Sequence, residues 1–534
     1  MVLYHHLYPE VINIVRPLIL EDEKLKQYSN MYKNAVGRSL DEKTADDAGI
    51  QSFVSHVNKL PTGQEKGNYL SLDFSGPVIS ILLLEFSEAS CYITVQKFNI
   101  PQSYMLGRST RLFDFIAKCL TVFLKKVNLK KMARIPLGVT FGFPIEQVSL
   151  QDCILLRWTK GFQCNDMIGQ NVFTKLKDSF RKFPELKRIY IIGILNETVS
   201  VLLSATVQDP SCRIGIVVGQ VASCCYTEKV SRIVKYQAKT YGEKNMYMIL
   251  DSGAFGEDGS LDQFRTEFDF EMDDNLKTKG KLINEKMTGM AYLGEIARLA
   301  LVRCIDSGCI LGGKVTSQIK ERDSINYKHM MRIESDPEDD HSKCREVLSE
   351  FGYEDVSDED CCQVQFICRC VSRRAANLIA AQLTALMNRI NEPNIAIALE
   401  GEMLNEYPNF EWYLIRKLNQ LKRDQHTFQI IKLEPNGAAR GAGVMAAVFG
   451  EEVMDRDEKL RRLPGFPVTK CHFKRIGKCL NPNCSTKHPC DTAGLNPLVY
   501  PMKPDSADLG QKEDSPCFDQ SNCQKKPCHG YDQL

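Results

Sequence analysis

The sequence predicts an α/β protein made of two lobes with a cleft between them, followed by a cysteine-rich tail. Short apolar strands alternate with amphipathic helices, and this pattern recurs in the second half of the chain. The chain of 534 residues also exceeds the size, about 250–300 residues, at which a single hydrophobic core stops growing. We therefore expect two α/β lobes rather than one.

The first half begins with residues 1–65, which we interpret as an N-terminal helix and a loop. Alternating apolar residues at 69–86 and 91–98 predict a β-hairpin, and an amphipathic helix is expected over 109–127. Further short strands, PLGVTFGFPI and RIYIIGIL, end in glycine or polar residues. We assign residues 66–205 to a small lobe.

The second half repeats the alternation in CRIGIVVGQVASCCYTE, in a strand at 395–404, in a helix at 410–421 and in a strand, turn and helix at 430–448. We assign residues 206–460 to a large lobe. Beyond this point the composition shifts to Pro, Asp, Lys and Cys with little periodicity, so residues 461–534 are predicted to be a tail.

Charge and cysteine usage restrict the class of protein. The formal net charge is +1, so the whole chain is not a polyelectrolyte partner for nucleic acid or membrane. No segment reaches the roughly 20 apolar residues that span a bilayer, and the start of the chain does not resemble a signal peptide. We expect a cytosolic protein whose 21 cysteines are mostly reduced thiols packed as small hydrophobic groups.

Six motifs, in order along the chain, connect these elements to a known family. They are GVTFGFP (138–144), WTKGF (158–162), LNETV (195–199), GAFGEDGSLDQFRTEFD (253–269), EKM with YLGE (285–287, 292–295) and IESD (333–336). Together they resemble hexokinases and glucokinases over roughly residues 20–450. The resemblance implies one hexokinase unit with the actin-like, ribonuclease H-like ATPase fold, a hexose in the interlobe cleft, and ATP with Mg²⁺ as the phosphoryl donor.

The resemblance also assigns a sugar site. The residues that match the family's sugar contacts without change are Thr159, Lys160, Asn196 and Glu285. Ser223 and Asp251 stand where the family has Asn and Glu, and Glu197 replaces the family's catalytic Asp. A shift of about 1 Å in a reacting group can cost about 100-fold in rate. Glu197 is therefore expected either to act as a slow base or merely to hydrogen-bond the sugar.

The phosphate loops depart further from the family pattern. The residues expected to contact nucleotide or phosphate are Asp73, Gly76, Gly219, Gly437, Arg440 and Gly441. Pro77 removes a backbone N–H, Ser80 stands where the family has Arg, and Val221 replaces a glycine. Because one preorganised donor can be worth about 100- to 1,000-fold in kcat, we expect weakened turnover.

The tail contains a cysteine and histidine pattern. Its members are Cys471, Cys479, Cys484 and His488, with the spacing C-x7-C-x4-C-x3-H. Three thiolates and one imidazole suit tetrahedral Zn²⁺, and the pattern resembles CCCH zinc fingers over residues 471–488. Basic residues around it keep RNA binding open, against the alternative of a tail of free thiols.

Two functions remain open from sequence. The first is a monomeric transferase that phosphorylates a glucose-like hexose at the 6-hydroxyl and feeds glycolysis, with reduced activity. The second is a non-catalytic pseudo-hexokinase that binds sugar as a sensor or scaffold. For either function we expect a cytoplasmic protein, with association at the mitochondrial outer surface as an alternative.

Overall fold

A computed structural model gives the fold. It describes residues 7–87, 91–127, 129, 132–235, 245–337, 340–434 and 436–462, together with the two short strands at 473–474 and 478–479. Side chains are described up to residue 456.

The strands within the described residues are short. They are β1 Ser52–Val54, β2 Gly67–Phe74, β3 Val78–Phe86, β4 Cys91–Asn99, β5 Ile135–Phe141, β6 Ile145–Ser149, β7 Asp152–Leu155, β8 Ile189–Asn196, β9 Cys212–Val218, β10 Ala222–Lys229, β11 Asn245–Leu250, β12 Asn394–Glu400, β13 Thr427–Lys432, β14 Phe473–Lys474 and β15 Lys478–Cys479.

The helices vary more in length. They are α1 Pro9–Val15, α2 Asp22–Arg38, α3 Gln102–Met105, α4 Ser109–Leu124, α5 Val172–Phe180, α6 Glu197–Thr206, α7 Glu267–Asp274, α8 Ile283–Thr288, α9 Met290–Asp306, α10 Ser317–Lys320, α11 Tyr327–Glu334, α12 Ser342–Glu350, α13 Asp358–Ile390, α14 Glu402–Asn405, α15 Phe410–Leu421 and α16 Gly437–Arg462. Short 3₁₀ turns connect several of them.

Two sheets with the same strand order form the centre of the molecule. The first runs β4-β3-β2-β5-β8, with an antiparallel meander β2–β4 followed by two parallel additions. The second runs β11-β10-β9-β12-β13 in the same sense, and β1 adds to its outer edge. Each sheet thus has a meander on one side and parallel strands on the other, which is a repeat that gives two similar α/β lobes.

Buried side chains explain why these strands lie inside. Every residue of β5 is buried, as expected for a parallel strand covered on both faces. Side chains from the first sheet pack with α4 and α5 in one core, while those of the second sheet pack with α2, α9 and α13 in another.

Helices α6 and α16 pack against each other between the sheets. Glycine makes this crossing possible, because a Cβ on Gly441 would lie 1.8 Å from the Ser200 carbonyl oxygen of α6. A Cβ on Gly138 of β5 would similarly lie 1.9 Å from the Ala442 carbonyl oxygen of α16. The small-residue run that begins α16 therefore holds the two lobes in close contact.

The N-terminal region is part of the second core. Pro17 lies in a 3₁₀ turn that separates α1 from α2, so the predicted single helix is divided. The Tyr28 hydroxyl donates to Asn284 at 2.5 Å and accepts from Gln382 at 2.9 Å, which ties α2 to α8 and α13. Among the described residues, no helix combines the length and apolar character needed to cross a membrane.

Candidate active site

The predicted site residues lie at equivalent places in the two lobes. Residues 75–77 form the turn between β2 and β3, and residues 219–221 form the turn between β9 and β10. Glu197 begins α6 immediately after β8. Since both turns and the end of β8 follow the carboxyl ends of sheet strands, the topology itself places polar groups there.

Lys160 and Glu197 form an ion pair in this region. The distance from Lys160 Nζ to Glu197 Oε2 is 2.9 Å, and Lys160 Nζ also donates to the Ser75 carbonyl oxygen at 2.6 Å. The two side chains are only 19% and 23% exposed. The turn that presents the lysine has positive φ at Lys160 (55°) and Gly161 (83°). The ammonium is therefore held between the β2–β3 turn and the start of α6.

Two further carboxylates, Asp73 and Glu400, interact with this pair. Burial raises the pKa of Asp73 to about 7, with the charge of Glu197 adding to the rise and the Ser75 hydroxyl and Lys160 opposing it. Burial raises the pKa of Glu400 to about 8, and the charges of Asp73 and Glu197 raise it further. We call Asp73, Ser75, Lys160, Glu197 and Glu400 the Lys160 group.

The carboxylates of the Lys160 group are oxygen donors of the kind that a nucleotide-bound magnesium ion uses, although among the described residues they do not form a preformed three-ligand site. Mg²⁺ prefers oxygen ligands and is usually held through one or two carboxylates plus substrate phosphates. The group contains three carboxylates and one ammonium; burial is the main cause of the raised pKa values of Asp73 and Glu400, and neighbouring carboxylates of the group add to both. A divalent cation would supply positive charge beside them.

Asn196 contributes to the same place through the backbone of α6. Its Oδ1 accepts from Thr198 N at 3.0 Å and from Thr198 Oγ1 at 2.8 Å, which makes it the N-cap of the helix. Because Oδ1 caps the helix, the Nδ2 end of the amide is the end that can face a ligand. The cap also fixes the direction in which Glu197 leaves the backbone.

A second set of charged groups lies around Asp251 and Glu285. Arg157 Nη2 is 3.6 Å from Asp251 Oδ2, and the Tyr292 hydroxyl donates to Glu285 Oε1 at 3.4 Å. Burial raises the pKa of Glu285 to about 7; Arg157 opposes this rise and Asp251 adds to it. Burial likewise raises the pKa of Asp251, again with Arg157 opposing. We call Arg157, Asp251, Glu285 and Tyr292 the Arg157 group.

The first glycine of the GAFG motif, Gly253, is required for steric reasons, because it lies beside the Arg157 group. A Cβ on Gly253 would lie 2.7 Å from Glu285 Oε2, so any larger residue would push the carboxylate away. The motif therefore allows Glu285 to approach the strand end that carries Asp251.

The other predicted sugar residues lie in or beside the same loops. The Thr159 carbonyl oxygen accepts from Phe162 N at 3.1 Å, which closes the turn that presents Lys160. Ser223 pairs with Val217 in the β9–β10 ladder and is partly buried. The structure thus brings Asp73, Lys160 and Glu197 into one group and Asp251 and Glu285 into another, and the loop of residues 156–161 contributes to both.

The predicted phosphate-binding glycines have different environments. A Cβ on Gly76 or Gly219 would meet nothing within 4 Å, so both turns border open space. The Gly219 carbonyl oxygen accepts from Met290 N at 3.0 Å, which docks its turn on the start of α9. Opposite Asp73 in the β2–β3 ladder stands Ser80, which is buried.

The predicted nucleotide residues of α16 are divided between the Lys160 group and the packing of the fold. Ala438 N donates to Glu400 Oε2 at 2.8 Å, and a Cβ on Gly437 would lie 2.8 Å from the same oxygen, so the start of this helix meets the Lys160 group. Gly441 is instead needed for the α6 crossing described above. Arg440 acts electrostatically on Cys91 at the start of β4, which lies at the sheet edge.

Sequence reasoning missed two of the charged residues. Arg157 stands immediately before the WTKGF motif, and Glu400 ends the buried strand β12 just before Gly401, whose φ is 131°. A charged residue at the end of an apolar strand is the local signal for Glu400. Arg157 has no comparable signal, since its partner Asp251 is distant in sequence.

The predicted zinc ligands are not tested by this structure. Cys471, Cys484 and His488 lie outside the described residues, and Cys479 is described only as backbone in β15. Within the parts of the chain that are described, no cluster of three or more His, Cys, Asp or Glu side chains has the arrangement of a metal site.

Comparison with known proteins places these observations in a family. Two family profiles, both described as Hexokinase, match residues 10–207 and 213–448. The chain is 30% identical to human Hexokinase-1 over 468 residues, which cover 86% of this chain and 50% of that protein. It is 29% identical to Hexokinase type 1 of Drosophila melanogaster over 454 residues, which cover 85% and 97% of the two chains. The chain spans about half the length of the first of these relatives and nearly all of the second.

Solved structures agree with the fold. A hexokinase from Schistosoma mansoni in complex with glucose superposes with a TM-score of 0.74 at 29% identity, covering 82% of this chain and 98% of that one. A second hexokinase crystal structure gives a TM-score of 0.70 at 23% identity, with the same coverage of both chains. The predicted two-lobed, actin-like architecture is confirmed.

Proposed function

This chain belongs to the hexokinase family, and on that premise we propose that it binds a glucose-like hexose in the interlobe cleft and transfers a phosphoryl group from ATP to the 6-hydroxyl at a reduced rate. Such a reaction would feed glycolysis. The observation that carries the proposal is the ion pair between Lys160 and Glu197, held between the β2–β3 turn and α6.

Glu197 would take the proton from the attacking hydroxyl. A general base needs a lone pair within hydrogen-bond reach of the proton that it removes. Lys160, which is 2.9 Å away, orients the Glu197 carboxylate, and the Ser75 carbonyl oxygen in turn orients Lys160. Asn196 would position the sugar through its amide nitrogen.

The Arg157 group would hold the remaining hydroxyls. Carboxylates accept strong hydrogen bonds from sugar hydroxyls, and both Asp251 and Glu285 belong to the large lobe. Ser223 lies in β10, which pairs with the strand β11 that precedes Asp251, and Thr159 lies in the loop that carries Arg157. The raised pKa values of Asp251 and Glu285 arise from burial, so a ligand that donates hydrogen bonds would favour the ionised forms.

Magnesium and ATP would be held at the Lys160 group. Asp73 and Glu400 supply oxygen ligands there, while the turns at Gly76 and Gly219 offer space for phosphate. Bound MgATP supplies the phosphoryl group and the positive charge that stabilises its transfer.

The reduced rate is argued from the composition of the two turns. Pro77 has no N–H to donate to phosphate, and Val221 replaces the conformational freedom of glycine. Loss of one preorganised donor costs about 100- to 1,000-fold in kcat. Turnover well below that of an intact phosphate site is therefore expected.

A coupled ADP-release assay with glucose, mannose and fructose tests the proposal. We expect hexose-dependent ADP release that requires Mg²⁺ and is lost in Glu197→Ala. No turnover above that variant, with folded protein, would reject the enzymatic function.

The altered turns also favour a second candidate, a non-catalytic protein that binds hexose as a sensor or scaffold. This candidate predicts that hexose raises the melting temperature although ADP release is absent. A combined variant, Pro77→Thr, Ser80→Arg and Val221→Gly, separates the two functions. It should gain turnover in a sensor that has lost catalysis and change little in a working enzyme.

For the tail and the assembly state we propose zinc binding by Cys471, Cys479, Cys484 and His488 in a monomeric cytoplasmic protein. Metal analysis of the full chain against a Cys484→Ser and His488→Ala variant tests the zinc site. A stoichiometry of one zinc per chain that the variant loses is the expected result. RNA binding and association with the mitochondrial surface are the weaker alternatives for this segment and this chain.

A further inference from the structure

Arg157 forms an ion pair across the cleft. It lies in the loop after β7, and the residues that flank this loop, Leu155 at the end of β7 and Phe162, are buried in the core of the first lobe. Its partner Asp251 follows β11 in the second lobe, with Nη2 and Oδ2 3.6 Å apart. The guanidinium also acts on Glu285. One side chain of the small lobe therefore pairs with one carboxylate of the large lobe and acts electrostatically on a second.

The loop holds Arg157 in place. Trp158 Nε1 donates to the Cys164 carbonyl oxygen at 2.8 Å, and the Trp158 ring stacks on Phe162 at 5.5 Å between ring centroids. Three residues after Arg157, Lys160 is fixed by Ser75 and Glu197. The contacts of Trp158 and Lys160 thus fix the backbone on the C-terminal side of Arg157 and so direct its guanidinium towards the large lobe.

The ion pair is accessible enough to be exchanged. The Arg157 side chain is 43% exposed and the Asp251 side chain 23% exposed, so water reaches both partners. Ion pairs of this kind contribute little net energy, because solvent screens them and their side chains lose entropy. A ligand with several hydroxyls can therefore displace the guanidinium.

We propose that Arg157 determines the hexose affinity of this site by competing with the sugar for the carboxylates of Asp251 and Glu285. This inference rests on the proposed function, because those two carboxylates matter as sugar contacts only if a hexose binds. The positive charge of the guanidinium stabilises the carboxylates of the unliganded site, so hydrogen bonds from sugar hydroxyls must compete with that attraction. The hexose must then break the cross-lobe ion pair when it binds, which weakens its apparent affinity.

The test is hexose binding to the full chain by isothermal titration calorimetry. Arg157→Gln keeps a polar side chain, shortens it and removes the charge, and it should lower the Kd for glucose about two- to five-fold, the range expected for loss of a pair this exposed. Arg213→Gln is the matched control. Arg213 also forms a part-exposed ion pair, with 2.9 Å between its Nε and Glu392 Oε2. Arg213 lies near the start of β9, whereas Ser223 of β10 pairs with Val217 near the end of β9. The control should leave the Kd unchanged.

Salt dependence of the unmodified protein provides a second measurement. Because ionic screening weakens an exposed ion pair but not the hydrogen bonds of a neutral sugar, glucose should bind more tightly as NaCl rises from about 0.02 to 0.5 M. Arg157→Gln should lose this dependence. The role of Arg157 is overturned if glucose binds the unmodified protein but does not bind Arg157→Gln more tightly. It is also overturned if Arg157→Gln retains the salt dependence. Either result overturns only the role of Arg157. Absence of hexose binding in every protein tested overturns the proposed function as well.

Discussion

The clearest test of the candidate site is substitution of Glu197, which shows whether its carboxylate acts as the base. Glu197→Gln keeps the side-chain length and removes the lone pair that would accept the proton, so turnover should fall about 100- to 10,000-fold, the usual contribution of a general base. Lys160 would at the same time lose its charged partner at 2.9 Å. Hexose binding should change much less than turnover, since a glutamine still accepts hydrogen bonds.

Glu197→Asp tests the geometry instead of the charge. The shorter side chain withdraws the carboxylate by one carbon–carbon bond, about 1.5 Å. Lys160 cannot follow freely, because its Nζ is bound to the Ser75 carbonyl oxygen at 2.6 Å in a turn with positive φ. The family has Asp at this position, but here Lys160 is placed for the longer side chain. Since a displacement of about 1 Å can cost about 100-fold, we expect Glu197→Asp to lose about that much in kcat instead of gaining turnover.

The assay is coupled ADP release at saturating hexose and MgATP, with thermal melting of each variant to confirm folding. Glu185→Gln is the control, because Glu185 is an exposed acid in the 3₁₀ turn Pro184–Arg188 before β8. Its turnover should equal that of the unmodified protein. The reasoning is refuted if Glu197→Gln keeps full turnover, or if Glu197→Asp is as fast as the unmodified protein or faster. The second result would show that Lys160 does not position the base.

Three predictions concern stability. Arg374→Met should destabilise the fold by about 3–5 kcal/mol in urea or thermal unfolding. Arg374 binds Asp269 at 2.6 and 2.7 Å with both side chains buried, so the variant leaves the Asp269 carboxylate without its counter-ion. Adding Asp269→Asn should recover part of the loss. Gly441→Ala should cost about 1–3 kcal/mol through its clash with the Ser200 carbonyl oxygen, and an unchanged melting temperature would contradict the close helix crossing. Burial raises the pKa of Glu334 to about 7, so the folded state holds this proton more tightly than the unfolded state and the free energy of unfolding falls as pH rises from about 5 to 8. In Glu334→Gln that fall should be smaller, as measured by melting at several pH values.

The sequence predicted the class of fold well because its signals are local. Alternating apolar residues identified β2, β3 and β4, short apolar runs identified β5, β8, β9 and β12, and amphipathic spacing identified α4 and α15. These signals need only residues that are near one another in sequence. The prediction extended the first of these helices to residue 127, whereas α4 ends at Leu124. Helix ends depend on capping and tertiary contacts, which periodicity does not report.

Motifs located the candidate site but did not distinguish residues that can contact a ligand from residues that stabilise the fold. Glu197 and Lys160 were assigned from motifs and do form an ion pair. Asp269 and Glu334 lie in motifs just as specific, yet Asp269 binds Arg374 and Glu334 accepts from the Tyr407 hydroxyl, both in the protein interior. A motif records that a residue type matters at a position, while only its partners show whether it binds a ligand or holds the fold.

By itself, then, the amino-acid order determined that this chain forms two α/β lobes of a hexokinase-like fold, and which short loops carry its polar groups. Tertiary structure alone decided that both sheets share one strand order, that Glu400 joins Asp73 beside Lys160, and that Arg157 reaches Asp251 across the cleft. The physical reason is range: hydrophobic periodicity acts over a few residues, whereas ion pairs and strand order join residues that come together only after the chain has folded.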